Sequence, residues 1–313
     1  MMRPSAPVLC LLGPTASGKT EAAIALHQRG DVDVISVDSA MVYRGFDIGS
    51  AKPSVELLNA VPHQLVDIRD PVDTYSVADF VADATSAIEQ SHRSQRIPLL
   101  VGGTMLYFRR LFDGLASLPA ADPAIRQRLD EAANDQGWAA LHARLTSVDP
   151  VAAARIEPAD SQRIQRALEV FELTGEPISE LQRQTSASPF DFRRLALVTS
   201  DRKDLHVRIS ERFDQMLEDG FVDEVSGLLS TPGMSADLPS MRAVGYRQIA
   251  AYVNGICSLD QAVADAKTAT RRLAKRQFTW LRGTQKIQRL DPLDSQVFSH
   301  ISDWVTKQLR SAV

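Results

Sequence analysis

The chain has 313 residues, of which 44% are hydrophobic and 24% charged, and its net charge is −4. That length allows one large domain or two, since a single core rarely grows beyond roughly 250–300 residues, and the balance of residue types is that of an ordinary soluble globular protein. It excludes a uniformly basic nucleic-acid coat. The sequence also lacks any apolar run near the ~18 residues that span a bilayer, and any basic-then-apolar leader, which points to a cytoplasmic protein with no membrane partner. Two cysteines, Cys10 and Cys257, make neither a disulfide framework nor a metal cluster, as suits a reducing compartment.

The first apolar run, residues 8–12, reads as a buried strand and leads into Gly13, Pro14, Thr15, Ala16, Ser17, Gly18, Lys19 and Thr20. This is a full G-x-x-x-x-G-K-[ST] phosphate loop, followed by the helical stretch 21–27. Its glycines let backbone N–H groups surround phosphate oxygens, Lys19 supplies a point charge and Thr20 offers a hydroxyl to a magnesium ion. The dipole of the following helix points at the same place. The loop alone does not say whose phosphates it holds.

Further β-rich runs occur at 32–37, 97–101 and 194–199, separated by helical spacing; Ser76 is a helix N-cap before 77–88. The alternation predicts an α/β fold with a parallel sheet flanked by helices. In such sheets ligands bind beyond the carboxyl ends of the strands, so Gly13, Asp38 and Thr104, each following a strand end, should converge on one crevice. Asp38 there could hold magnesium through water, take a proton from a nucleophile, or cap a helix. Between 119 and 188 strand signals vanish. Asp122-Pro123 and Asp149-Pro150 each pair an N-cap with a first-turn proline, Ser161 opens a helix over 162–173, and Gly175 closes it. We therefore expect an all-helical domain at 119–188 inserted into a core of 1–118 and 189–313. A helix follows at 205–218, a surface loop at 229–239 and a short amphipathic helix in the tail from 291 to 313. Between Met241 and Leu290 ten basic residues face only Asp260 and Asp265. That concentration is either a footprint for a polyanion or a solvated helix face.

The phosphate loop, the string from Asp38 to Pro53, the segment from Pro62 to Pro71 and the turn from Gly102 to Tyr107 occur in this order. Behind them come the segments from Arg242 to Gln248 and from Lys275 to Arg282. This succession resembles the tRNA dimethylallyltransferases of the bacterial type, from about Pro7 to Arg282. The resemblance implies a phosphate-loop core of the NTPase-like kind. The implied reaction transfers dimethylallyl from dimethylallyl diphosphate to the N6 amine of the adenosine immediately 3′ of the anticodon. Thr15 to Thr20 carry over as the diphosphate site, with Arg212 as a further cation and Mg2+ at Thr20. Asp38 matches the general base, and Thr104 the residue that holds the adenosine.

For the tRNA anticodon stem-loop, the resemblance implies contacts from Asp38, Ser39, Ala40 and Met41, and from Arg126. It adds Gln162, Arg163, Ile164, Gln165 and Arg166 in the insert, which would then clamp the loop. A third group is Arg242, Ala243, Val244, Gly245, Tyr246 and Arg247. The last is Lys275, Arg276, Gln277 and Phe278 with Thr279, Trp280, Leu281 and Arg282. Tyr246, Phe278 and Trp280 could stack on splayed bases or sit in the core. The expected unit is a monomer. The competing readings are an ATP-binding nucleoside or nucleotide kinase, which leaves the basic stretch unexplained, and a nucleotide-gated RNA-binding switch without transfer chemistry.

Overall fold

The computed structural model describes residues 7–30, 32–185, 188–199 and 201–310. Six strands, β1 (Val8–Leu12), β2 (Val32–Val37), β3 (His63–Gln64), β4 (Ile97–Gly102), β5 (Phe192–Leu197) and β6 (Gln288–Leu290), form one sheet in the order β3-β2-β4-β1-β5-β6. Every pairing is parallel. The central strands are almost wholly buried, which is why they read as continuous apolar runs rather than alternating ones. The edge strands β3 and β6 have two and three residues and carry no apolar pattern, so the sequence gives no sign of them.

The chain divides into two compact units, Met1–Phe108 with Pro189–Val313, and Arg109–Ser188. In the first, Leu9, Leu11, Val34, Leu99 and Leu195 of the sheet pack with Ala22, Ala23 and Leu26 of the helix Lys19–Gln28. The tail joins this core, since helix Val297–Arg310 buries Val297, Ile301, Trp304 and Val305 in the same cluster. Helix Val77–Arg93 starts at Ser76 with a full capping box, Ser76 bonding the Asp79 amide and Asp79 the Ser76 amide.

The second unit is all helix around its own core, which includes Ile125, Leu129, Leu141, Leu145, Ile164 and Leu168. Asp122 caps helix Pro123–Gln136 through the amides of Ala124 and Ile125. Buried Asp149 accepts the Ala152 and Ser179 amides, joining two short helices. Helix Ser161–Thr174 is capped by Asp160, one residue before the serine taken from the sequence, because the carboxylate reaches the Arg163 amide. Gly175 ends it at φ 74°, a left-handed conformation that glycine adopts without steric cost. Among the described residues no helix is long and apolar enough to cross a membrane.

Candidate active site

Register builds the site. Gly102 pairs with both Leu12 and Val37, so β1, β2 and β4 end at one level, and the next residues are Gly13, Asp38 and Gly103. Gly102 has to be glycine because a Cβ there would lie 2.1 Å from the Val37 carbonyl oxygen. Gly13 is equally confined, with Ser17 Oγ 2.6 Å and the Leu197 carbonyl oxygen 2.9 Å from a Cβ. The phosphate loop turns through Ala16 at φ 61° and Gly18 at φ 76°, and Gly18 is the N-cap of helix Lys19–Gln28. A left-handed alanine costs of order 1 kcal/mol, strain that a tight anion-binding turn can store.

Lys19 folds back over this loop. Its Nζ donates to the Pro14 carbonyl at 2.5 Å and to Ser17 Oγ at 3.3 Å. Burial, followed by the nearby Arg212 guanidinium, pushes its pKa down to about 8 against the opposing pull of Asp38 and Glu21. Arg212 donates to Thr15 Oγ1 at 3.3 Å, and burial likewise lowers its pKa while Asp38 and Glu21 hold it up. Two cations thus stand at the phosphate loop with Asp38 and Glu21 as compensating charges.

Asp38 Oδ1 accepts the amides of Ala40 at 2.8 Å and Met41 at 3.3 Å. No helix starts directly after Asp38, so Oδ1 closes a turn rather than capping a helix, and Oδ2, which makes no hydrogen bond among the described residues, is left open to a chemical role. Thr104 sits beside it. The Thr104 amide donates to the Val37 carbonyl at 3.3 Å, and Thr104 Oγ1 accepts the Ser39 amide at 3.2 Å, leaving its hydroxyl proton to donate elsewhere. The Thr20 hydroxyl also has no partner among the described residues. Among the described residues no group of three His, Cys, Asp or Glu side chains gathers into a metal cage.

Several residues expected on an RNA surface lie inside the fold instead. Ile164 is in the helical core, Leu281 is fully covered, and Phe278 packs with Leu205, Ile209 and Ala274. Gly245 is buried, and a Cβ there would meet the Phe221 ring at 3.3 Å. Tyr246 stacks on Phe46 at 4.1 Å and donates its hydroxyl to Glu224 at 2.6 Å, so it holds protein rather than a base. Gln277 is also buried, with its amide turned toward the loop. The spacing of Ala274, Gln277, Phe278 and Leu281 is the i, i+3, i+4, i+7 pattern of an inward helical face, and it was present in the sequence. On the other face of that helix Lys275, Arg276, Thr279 and Arg282 are exposed and Trp280 is half-buried. Arg242 and Arg247 are exposed too, with Ala243 and Val244 half-buried between them, and Ser39 is exposed beside half-buried Ala40 and Met41.

In the helical unit Arg126 makes a two-pronged pair with both oxygens of Glu169, and Oε2 also accepts from Arg166 at 2.6 Å. Gln165 bonds Asp130, while Gln162 and Arg163 are exposed. Two further residues organise the fold: Glu224 lies outside the motifs, and Lys52 lies within the string from Asp38 to Pro53, where only its burial marks it. Glu224 accepts the backbone amides of Asp47, Ile48 and Gly49. Lys52, with only 3% of its side chain exposed, bonds Asp47 and Asp67.

Residues 41–284 match the family model described as IPP transferase. The chain is 56% identical over 277 residues to a tRNA dimethylallyltransferase of Alkalilimnicola ehrlichii, covering 88% of this chain and 87% of that protein. It is 51% identical over 304 residues to the enzyme of the same name from Thiobacillus denitrificans, covering 97% of each. Among solved structures it resembles the tRNA isopentenylpyrophosphate transferase of Bacillus halodurans with a TM-score of 0.71 at 37% identity, covering 98% and 97% of the two chains. It also resembles a eukaryotic dimethylallyltransferase that acts on tRNA, with a TM-score of 0.79 at 26% identity, covering 97% and 80%. With its strand-end crevice, phosphate loop and relatives at this level of identity, the chain belongs to the IPP transferase family, the tRNA dimethylallyltransferases.

Proposed function

We propose that this chain, acting as a monomer in the cytoplasm, moves the dimethylallyl group of dimethylallyl diphosphate onto the N6 amine of the adenosine 3′-adjacent to the anticodon of tRNA. The observation that carries this reading is Asp38, pinned through one oxygen and open at the other, at the same strand level as the phosphate loop. The allylic C–O bond breaks, its electron pair leaves with pyrophosphate, a C–N bond forms, and the amine proton passes to Asp38. Lys19, Arg212 and the loop amides stabilise the departing negative charge. Asp38 removes a proton from an amine whose lone pair is delocalised into the ring. Thr104 has a hydroxyl proton to offer the adenosine. The exposed Arg242, Arg247, Lys275, Arg276 and Arg282 suit the RNA backbone, as do Gln162 and Arg163 in the helical unit. The adenosine must be flipped out of its stack to reach the crevice.

Mg2+ fits the donors present, because it takes oxygen ligands and draws most of them from phosphate and water rather than from a protein cage. Thr20 would hold it with the diphosphate, where the ion adds charge to stabilise the leaving group.

The direct test incubates the chain with unmodified tRNA and labelled dimethylallyl diphosphate, and in parallel with labelled ATP. Label should enter tRNA from the prenyl donor alone; transfer from ATP alone would overturn the reading in favour of a kinase. Asp38→Asn keeps the acceptor for the Ala40 and Met41 amides but not the basicity. It should lose about 10²–10⁴ in kcat with tRNA affinity nearly unchanged. The pH dependence supplies a second check. A bound anion favours the charged ammonium, so above a free-enzyme pKa of about 8 binding must take up a proton at Lys19. Affinity for pyrophosphate, corrected for the ligand's own ionisation, should therefore be level below that pH and weaken above it, approaching tenfold per pH unit. Lys19→Arg should flatten the profile.

A further inference from the structure

We infer that Gln277 is a positioning residue that ties the diphosphate loop to the adenosine-side turn and couples both to tRNA docking. The inference rests on the reading of the two sites just given. Gln277 lies three-quarters of the way along helix Leu259–Gly283 and is only 6% exposed. Its Nε2 donates to the Gly103 carbonyl at 2.8 Å, and its Oε1 accepts the Thr15 amide at 3.3 Å. One planar side chain therefore spans the loop after β1 and the turn after β4. A buried amide is retained where both of its ends are needed, since leaving either partner unpaired costs desolvation without return.

The backbone opposite is shaped to admit it. A Cβ on Gly103 would lie 2.6 Å from Gln277 Nε2 and 3.1 Å from the Gly13 carbonyl oxygen. Position 103 thus has room for the amide only because it is glycine. On the opposite side of the same helix Lys275, Arg276, Thr279 and Arg282 are exposed. A phosphate backbone that shifts or steadies this helix acts through Gln277 on Thr15, in the diphosphate loop, and on Gly103, next to Thr104. Coupling of this kind is reciprocal, so diphosphate binding must alter tRNA affinity by the same factor.

The test measures the Kd of an unmodified anticodon stem-loop with the full-length protein, in the absence and presence of saturating pyrophosphate with Mg2+. The wild-type chain should show a coupling factor of about fivefold or more. Gln277→Met, similar in shape but unable to bond either partner, should bring the factor to within twofold of one while each single-ligand Kd moves by less. Gln277→Glu keeps an acceptor for Thr15, loses the donor to Gly103 and sets a carboxylate against the diphosphate loop, where it repels the anion, so it should raise the KM for dimethylallyl diphosphate more than it changes the Kd for RNA. Gly103→Ala reaches the same link from the other side by displacing a side-chain terminus, and should reproduce the loss of coupling even if Gln277→Met folds poorly. A coupling factor near one in the wild-type chain, or one unchanged in folded Gln277→Met or Gly103→Ala, overturns the inference. Failure of prenyl transfer by the wild-type chain would instead remove the functional reading beneath it.

Discussion

Glu224 in the sheet unit and Glu169 in the helical unit are both ringed by donors, and they differ in what the donors are. Glu224 takes three backbone amides and the Tyr246 hydroxyl, all neutral. Glu169, whose side chain is fully buried, takes two guanidiniums and the Asp122 amide. The first arrangement fixes a turn of backbone, at Asp47 to Gly49, in the segment that begins with Asp38. The second joins helix Pro123–Gln136 to helix Ser161–Thr174 by charge. Neighbouring Glu172 repeats the device with Arg128 and Arg144. One glutamate therefore serves the geometry of a site, and the other the integrity of a unit.

The largest effect that would sharpen this contrast is on stability. Removing Glu169 leaves Arg126 and Arg166 without their counter-charge, though both keep partial access to water, so Glu169→Ala should cost about 2–3 kcal/mol. Trp138, which packs on the helical core, reports this unit in a chain where Trp280 and Trp304 are phenylalanine, and its urea transition should move to lower denaturant. Glu224→Ala should leave that transition in place and lower turnover on the order of ten- to a hundredfold, because the segment leading from Asp38 loses its anchor. Similar responses of the two variants in both measurements would break the distinction.

Acid should test the charge cluster of the helical unit next. Burial pushes the Glu169 carboxyl up, but hydrogen bonds from Arg126, Arg166 and the Asp122 amide outweigh it and hold the group below its ordinary value of 4.5. A depressed carboxyl contributes stability that is complete above the unfolded pKa and disappears as pH falls through the folded one. The Trp138 transition should accordingly weaken as pH drops below about 4.5, and Glu169→Gln should remove that component. An identical acid response in Glu169→Gln would assign the stabilisation to other groups.

The smallest effect is in salt dependence. Lys275 is exposed and makes no ion pair among the described residues, whereas the charge of Arg126 is already met by Glu169. Lys275→Ala should reduce the salt slope of tRNA binding by about one, and Arg126→Ala should change it less. The reverse order would put the free cation in the helical unit.

The residues hardest to read are those in which helical position and residue type disagree. Gln277 and Tyr246 carry polar ends that suggest a surface, yet both are buried because their polar atoms find partners far away in sequence, at Gly103, Thr15 and Glu224. Phe278, Leu281 and Ile164 follow the inward spacing of their helices, so the motif that drew attention to their neighbours obscured a simpler packing signal. The edge strands β3 and β6 owe their conformation to pairing with β2 and β5, and two or three residues cannot show a period.

Local chemistry, by contrast, was written plainly. A phosphate loop between an apolar strand and a helix, Asp38 and Thr104 after strand ends, aspartate-proline helix starts and a basic carboxyl-terminal stretch each depend on a few adjacent residues. Their meaning therefore survives without a fold. What folding added is distance. Which oxygen of Asp38 stays open, which arginines are already neutralised, and how one glutamine joins two turns all depend on contacts between segments far apart in the chain, and only the packed sheet and its helices bring those segments together.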